Sequence, residues 1–127
     1  MPHLDVYALE SDLTGHEEAL IGGLTSAVAA VYGEWARPSV VVRLIGLPAG
    51  RWGIGGRPAA VPAPSVTFGI RADALDRPDA AAILGGLAAG ITDAIAAVLG
   101  EQHREGTTVE FVAQRPDHFA VGGKLGA

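Results

Sequence analysis

Arg51-Trp52-Gly53-Ile54-Gly55-Gly56 is the stretch on which the predicted fold depends, and His118-Phe119-Ala120-Val121-Gly122-Gly123 is a weaker copy of it. Each stretch places an aromatic residue ahead of an aliphatic residue and a Gly-Gly pair, shortly after a run of strand-forming residues. Glycine pairs of this kind are typical of turns that need positive φ. A turn that is made twice indicates a duplicated unit.

The repeat extends back to the start of each half. Met1-Pro2-His3-Leu4-Asp5-Val6-Tyr7 begins the first copy, and Pro64-Ser65-Val66-Thr67-Phe68-Gly69-Ile70 begins the second. Each half is therefore predicted to run strand, helix, strand and glycine-rich turn. We predict a single domain over residues 1–127, made of one unit at 1–60 and another at 64–127.

The first half carries clear local signals. Alternating apolar residues predict a strand from His3 to Ala8. A helix is predicted over residues 15–32, with a capping box of Thr14 and Glu17 at its start and Gly33 as its stop. The next strand, 39–47, is almost continuously apolar, which favours an interior position in the sheet.

The second half repeats these signals, with strands predicted at 65–71 and 107–113 and a helix over 79–99 that ends at Gly100. Two such βαβ units predict an α+β fold, in which a four-stranded mixed sheet carries both helices on one face. The other face is expected to be apolar as well and to need a partner. The sequence thus predicts a homo-oligomer.

Composition excludes several classes of protein. The net charge of −5 argues against a nucleic-acid partner, and the absence of cysteine excludes disulfides and cysteine-based metal sites. The four histidines are scattered without metal-ligand spacing, so neither a metal nor another cofactor is predicted. No signal peptide is recognised, and the apolar run from 80 to 92 is too short to span a bilayer. We expect a cytoplasmic protein without membrane partners.

Pro2 is the strongest candidate for a catalytic residue. Removal of Met1 would leave a secondary amine at the start of a strand. Burial in an apolar pocket and neighbouring arginines both disfavour the protonated form of an amine, so this nitrogen is a candidate general base or nucleophile. Taken alone, the same dipeptide is also consistent with a chance beginning of the chain.

Three features together resemble the 4-oxalocrotonate tautomerase (4-OT) family: Pro2, the βαβ spacing, and the run from Val41 to Gly56. The similarity continues nearly without gaps from Pro2 to Ala59 and more weakly from Pro64 to Gly123. The chain is similar to a fused, two-copy member of the tautomerase superfamily, close in size to malonate semialdehyde decarboxylase and the macrophage migration inhibitory factor group.

The resemblance implies a trimer with a tautomerase (MIF-like) fold and a cofactor-independent keto–enol tautomerase activity. Pro2 would act as general base and acid, whereas Pro64 is internal and has no basic amine, so each chain would hold one working site. Arginines bind the substrate carboxylate in this family. The aromatic residue before the glycine turn, here Trp52, walls the pocket, and Leu9 falls on a pocket-lining position.

The arginines depart from the family pattern. Asp12 and Val41 stand where the short tautomerases carry arginine. Arg43 points to the same face as Val41 and is a candidate substitute, although it is equally consistent with a structural ion pair to Asp5 or Glu110.

Other arginines are therefore considered for carboxylate binding. The decarboxylase and dehalogenase branches resemble this chain in carrying arginines just after the third strand, so Arg71 is the leading carboxylate binder. Arg77 is a weaker candidate, and Arg115 after the fourth strand is a third. An arginine at a strand end is also consistent with a solvated rim position.

Three functions follow as hypotheses. The first is a tautomerase that acts on a small 2-oxo or enol carboxylic acid. The second is a decarboxylase, or a hydratase or dehalogenase, of a three-carbon acid, for which Asp12 or Asp73 would have to activate water. The third is a non-catalytic trimeric scaffold.

Overall fold

A computed structural model describes residues 2–126 of the chain. The main strands are β1 (His3–Leu9), β2 (Val41–Leu47), β5 (Ser65–Arg71) and β6 (Thr108–Gln114). The helices are α1 (Glu10–Leu13), α2 (Glu17–Tyr32) and α3 (Ala80–Leu99). Two short hairpins are formed by β3 (Gly53–Ile54) with β4 (Arg57–Pro58) and by β7 (Ala120–Val121) with β8 (Lys124–Leu125). Short 3-10 helices occupy Glu34–Ser39, Ala72–Asp76, Glu101–His103 and Pro116–His118.

The four long strands form one mixed sheet in the order β2-β1-β5-β6. β1 pairs in parallel with β2, β5 pairs in parallel with β6, and the antiparallel pairing of β1 with β5 joins the two halves. The predicted fold class, with two βαβ units and both helices on one face of a mixed sheet, is therefore confirmed.

The core lies between this sheet and the two long helices. Alternate strand residues, Leu4, Val6, Val66 and Phe68, are fully or almost fully buried against it. The helices contribute Leu20, Leu24 and Val28 from α2 and Leu87, Ile91 and Ile95 from α3, all of them buried. This alternation of buried and open residues along each strand is what the period-2 pattern predicts.

Small residues let the two helices lie close together. A Cβ added to Gly90 would lie 3.4 Å from the Cβ of Ala27, and one added to Gly23 would lie 3.6 Å from that of Ala94. By length and composition alone, α3 would be able to cross a membrane. In this fold it packs on the sheet and on α2, with Leu87, Ile91 and Ile95 at no solvent exposure.

The opposite face of the sheet corrects one expectation. It carries charged and polar side chains as well as apolar ones, so it is not the apolar face that the sequence indicated. Asp5 and Arg43 face each other in register on β1 and β2, and Nε of Arg43 donates to Oδ1 of Asp5 over 2.5 Å. The strand β2 also lies at the edge of the sheet within the chain, whereas we predicted an interior strand.

Glycines end the helices and form the turns as predicted. Gly33 and Gly100 follow α2 and α3 with φ of 114° and 124°, and all four glycines of the two Gly-Gly pairs have positive φ. The predicted capping box is wrong. Helix α2 starts after His16. The Thr14 hydroxyl, just after α1, donates instead to the carbonyl of Glu10, the first residue of that helix, which the sequence did not predict.

Candidate active site

A cavity of about 590 Å³ opens where β1 begins and β5 ends. Its lining combines the backbone start of β1, the residues after β5, and the turn that follows α2. The lining residues are Pro2, Tyr32, Trp35, Ala36, Ser39, Gly69, Ile70, Arg71, Asp73, Ala74 and Arg77. The cavity thus holds the proline that the sequence proposes as a base together with two of the candidate arginines.

Strand pairing explains why Pro2 and Arg71 line the same cavity. In the antiparallel register His3 faces Gly69, so the residue before His3 lies beside the end of β5. The parallel partner β2 fixes the same point from the other side, because the Val41 amide donates to the Pro2 carbonyl over 3.1 Å. Pro2 is only half-buried. Its amine depends on the fate of Met1, which lies outside the described residues.

Both cavity arginines are held by an aspartate two residues further along the chain. Arg71 donates from Nε and Nη2 to the two carboxylate oxygens of Asp73 over 3.3 and 3.2 Å, and Arg77 makes the equivalent pair of bonds to Asp79 over 3.0 Å each. A guanidinium has five N–H donors. Each arginine therefore keeps N–H groups beyond the aspartate that a substrate carboxylate can bind.

Two aromatic residues, Tyr32 and Trp35, form another part of the lining. Burial raises the pKa of the Tyr32 phenol, and the Arg77 cation opposes that rise. The Tyr32 hydroxyl is consequently protonated at neutral pH. Trp35 is 79% exposed in spite of its size. Neither residue was predicted from the sequence, although a tryptophan two positions after a helix-ending glycine was the available signal.

The remaining proposed site residues lie elsewhere or are already engaged. Arg43 is paired with Asp5 on the open face of the sheet, and Arg115 binds Asp117 in the short 3-10 helix after β6. Trp52 lies in the loop before β3. Leu9 is almost fully buried at the end of β1. None of these four lines the cavity, so within a single chain their predicted roles in binding substrate remain predictions.

The second repeat has Pro64 at the position equivalent to Pro2. The register that places Pro2 beside the end of β5 places Pro64 beside the end of β1, and the Thr108 amide donates to the Pro64 carbonyl over 3.2 Å. Pro64 is fully buried there. His103 is 2% exposed, with Nε2 3.6 Å from Oδ2 of Asp12.

The two candidate acids are thus separated. Asp73 lies in the cavity, where both its oxygens accept hydrogen bonds from Arg71. Asp12 lies on the side of the second repeat, facing His103. Within residues 2–126, acidic and histidine side chains form no cluster of three or more that would hold a metal ion.

Similar solved structures share this architecture over almost the whole chain. A fused 4-OT described as a wild-type asymmetric trimer is 29% identical with a TM-score of 0.82, over 97% of this chain and 94% of that one. A native fused 4-OT is 27% identical with a TM-score of 0.81 over the same shares. Macrophage migration inhibitory factor of Toxoplasma gondii shares the fold at 15% identity, with a TM-score of 0.71 over 97% of this chain and 98% of its own.

No family model matches the sequence, and no curated protein matches it either. The structural matches nevertheless agree with the resemblance read from Pro2 and from the glycine turn. The chain has the fused 4-OT-like fold of the tautomerase superfamily.

Proposed function

We propose that this protein is a cofactor-independent keto–enol tautomerase. Pro2, freed of Met1, is its general base and acid, and the substrate is a small 2-oxo or enol carboxylic acid. One observation carries the proposal: Pro2 and Arg71, from strands far apart in sequence, line the same cavity. The fused 4-OT structures, at 27–29% identity, support a catalytic relative rather than a similarity of backbone alone.

The proton transfer needs only this chain's groups. In ketonisation the Pro2 nitrogen accepts the enol O–H proton, and the oxygen electron pair forms the C=O bond. The electrons of the C=C bond then take the proton back from the protonated Pro2 at carbon. The reverse sequence gives enolisation. Proton transfer by a positioned amine contributes about 10²–10⁴-fold to such rates.

The arginines supply binding and polarisation. Arg71 binds the substrate carboxylate with the N–H groups that Asp73 leaves free, and the positive guanidinium also favours the neutral form of the nearby amine. Because Asp73 and Asp79 each neutralise part of this charge, the cavity carries less positive potential than two free arginines would produce. Partial neutralisation favours a substrate with few negative charges.

A water-activating reaction on a three-carbon acid fits this cavity less well. Asp73 is the carboxylate in the lining, and its oxygens are already occupied by Arg71. The cavity of about 590 Å³ falls in the size range that holds drug-sized ligands, well beyond what a three-carbon acid fills. The scaffold hypothesis is also disfavoured, because two arginines line the cavity that Pro2 lines.

The proposal also includes the oligomeric state and the cellular location of the protein. Two similar fused 4-OT structures, 29% and 28% identical to this chain, are described as asymmetric trimers, which supports oligomerisation of this chain. We propose a homotrimer, for which light scattering should give three times the mass of the 12.9 kDa chain. A cytoplasmic location and the absence of nucleic-acid or membrane partners stay predictions from composition.

The activity is tested by following the ketonisation of phenylenolpyruvate or 2-hydroxymuconate by ultraviolet absorbance. The Pro2→Ala variant should lose about 10² or more in kcat/KM. Arg71→Ala should raise KM roughly 10- to 150-fold, since a charge-assisted bond contributes about 1.5–3 kcal/mol. Arg104→Ala is the matched control, because Arg104 is also ion-paired but lies outside the cavity.

Intact mass must accompany these rates. A retained Met1 would place the Pro2 nitrogen in an amide without basicity, and the preparation would then be inactive. If the mass shows Met1 removed and wild type and Pro2→Ala still give equal rates, Pro2 is not the base and only the scaffold hypothesis survives.

A further inference from the structure

Tyr32 brings a hydroxyl to the cavity that Pro2 lines. It is the last residue of α2, and it is half-buried, with its side chain packed against the core. Within residues 2–126, no group makes a hydrogen bond with the phenol oxygen. A tyrosine that is partly buried usually uses its O–H to bind a partner. The hydroxyl of Tyr32 is therefore a donor that the described part of the chain leaves without an acceptor.

The second repeat shows that packing does not require this hydroxyl. Gly33 follows α2 as Gly100 follows α3, so the residue equivalent to Tyr32 is Leu99. Leu99 packs against the same core without any polar atom in its side chain. An apolar residue is thus sufficient at the end of the helix. Packing explains the ring of Tyr32 but not its oxygen.

A neighbouring cation makes this hydroxyl a better donor. Arg77 lines the same cavity, and its positive charge opposes the rise that burial causes in the pKa of the Tyr32 phenol. A cation that favours the phenolate also strengthens the neutral O–H as a hydrogen-bond donor. Arg77 is itself held by its two bonds to Asp79, each 3.0 Å long. Tyr32 therefore offers a protonated O–H in a field that favours negative charge on a bound acceptor.

The tautomerase reaction creates a negative charge that needs such a donor. Once Pro2 has accepted the enol proton, the substrate is an enolate whose charge lies largely on that oxygen. Donors directed at the atom where charge develops are usually the largest electrostatic contribution to catalysis. Arg71 is assigned to the carboxylate, so the adjacent oxygen needs a donor of its own.

Tyr32 suits this second position better than the other donors of the lining. The side chain of Arg77 is 59% exposed and already paired with Asp79, and Ser39 is exposed to solvent. Tyr32 is half-buried, and an interaction with a charge is stronger where water is partly excluded. Its hydroxyl is also free of any partner within residues 2–126.

We propose that Tyr32 is a further catalytic residue, whose O–H donates a hydrogen bond to the substrate oxygen that carries the enolate charge. The proton stays on Tyr32, and Pro2 carries out both proton transfers. This inference rests on the proposed function, because it takes the carboxylate to lie at Arg71 and the reaction to pass through an enolate. It goes beyond that function by assigning the group that stabilises the intermediate.

Turnover by Tyr32→Phe tests the oxygen alone, because phenylalanine keeps the ring. In the ketonisation of phenylenolpyruvate, kcat should fall by about tenfold or more and KM should change by less than about threefold, since an enclosed donor of this kind contributes about 10²–10³ in kcat. Tyr7→Phe is the matched control. Tyr7 is the other of the two tyrosines, and it lies outside the cavity lining. A residue that only walls the cavity would keep the wild-type kcat in Tyr32→Phe and lose it in Tyr32→Leu, which copies Leu99.

Binding of two small acids tests the same hydrogen bond without turnover. Oxalate has an anionic oxygen next to its carboxylate, as a pyruvate enolate has, whereas oxamate has a neutral amide there. Isothermal titration should show that Tyr32→Phe weakens the binding of oxalate about fivefold more than that of oxamate, because a hydrogen bond to an ionised acceptor is roughly twice as strong as one between neutral groups. The oxamate titration also counts the binding sites, so kcat is expressed per site and does not depend on the folded fraction.

Two results would overturn the inference and leave the proposed function standing. The first is Pro2-dependent turnover with an unchanged kcat in Tyr32→Phe. The second is an equal effect of Tyr32→Phe on both acids, which includes the case that neither acid binds. The proposed function fails in a different way, when wild type freed of Met1 does not ketonise the substrate. The two titrations then still decide whether Tyr32 binds an anionic oxygen.

Discussion

Replacing His103 by alanine tests how much this buried side chain stabilises the second repeat. His103 is 2% exposed, and Oδ2 of Asp12 is a buried oxygen without a hydrogen-bond partner. The two groups are 3.6 Å apart, too far for a hydrogen bond but close enough for an ion pair. Removal of the imidazole would leave that carboxylate oxygen buried beside an empty space.

The expected cost follows from two effects. Oδ2 of Asp12 makes no hydrogen bond but has the imidazole as a polar neighbour at 3.6 Å, and the loss of that neighbour from a buried oxygen costs up to about 1–3 kcal/mol. The lost packing of the ring adds about 1–2 kcal/mol if the site collapses only in part. His103→Ala should therefore lower the free energy of unfolding by roughly 2–5 kcal/mol. Asp12→Ala should cost less, because the Asp12 side chain is 28% exposed and its buried Oδ2 makes no hydrogen bond.

Urea unfolding at one fixed protein concentration measures these changes, since an oligomer's apparent stability depends on concentration. In Asp12→Ala/His103→Ala, the histidine substitution should cost at least about 1 kcal/mol less than in the wild-type background. If the single His103→Ala protein loses less than about 0.5 kcal/mol, or if the two substitutions are additive, the two groups do not interact and the reasoning fails.

Two further predictions concern His3 and Gly33. Burial, and then the Arg43 cation, lower the pKa of His3 from 6.5. The stability that neutral His3 contributes is therefore complete above pH 6.5 and is lost as the pH falls through the lowered pKa of the folded protein. Urea midpoints from pH 7.5 to 5 should fall less in His3→Gln than in the wild type, and parallel curves would contradict this. Gly33→Ala should destabilise the fold by about 1–2 kcal/mol through its φ of 114°, as measured by urea unfolding. Gly100→Ala, with φ of 124° at that position, should cost a similar amount, and an unchanged urea midpoint in either variant would contradict this.

Local steric rules explain why so much of the backbone was predictable. Gly33 and Gly100 end helices, and Gly55 and Gly122 form turns, because positive φ is costly for other residues at those points. Alternating burial along β1 likewise follows from the two faces of a strand. These signals lie within a few neighbouring residues, so no knowledge of distant contacts is needed to interpret them.

The wrong predictions concern features that depend on contacts between residues far apart in the sequence. The Thr14 hydroxyl was expected to cap α2, but the preceding helix α1 offers it the Glu10 carbonyl instead. The apolar run of β2 suggested an interior strand, yet chain topology leaves it at the edge. Both Asp5 and Glu110 were possible partners for Arg43, and the register between β1 and β2 selects Asp5.

Divergence between the two repeats is the strongest structural indication of where function resides. The backbones are alike, but Pro2, Arg71 and Trp35 border an open cavity in one place. At the equivalent place Pro64, Leu9 and His103 are buried. Packing requirements shared by both repeats explain their common residues, such as the helix-ending glycines.

Packing does not explain two residue differences between the repeats, both of which lie at the cavity of the first repeat. Ala36 is small where the second repeat has His103, and Arg71 is charged where it has Leu9. The smaller residue leaves space for a ligand, and the arginine provides the charge that a carboxylate would meet. Because the second repeat keeps its backbone without either feature, stability of the fold does not require them at the first. The open half is therefore where we propose that the active site of this chain lies.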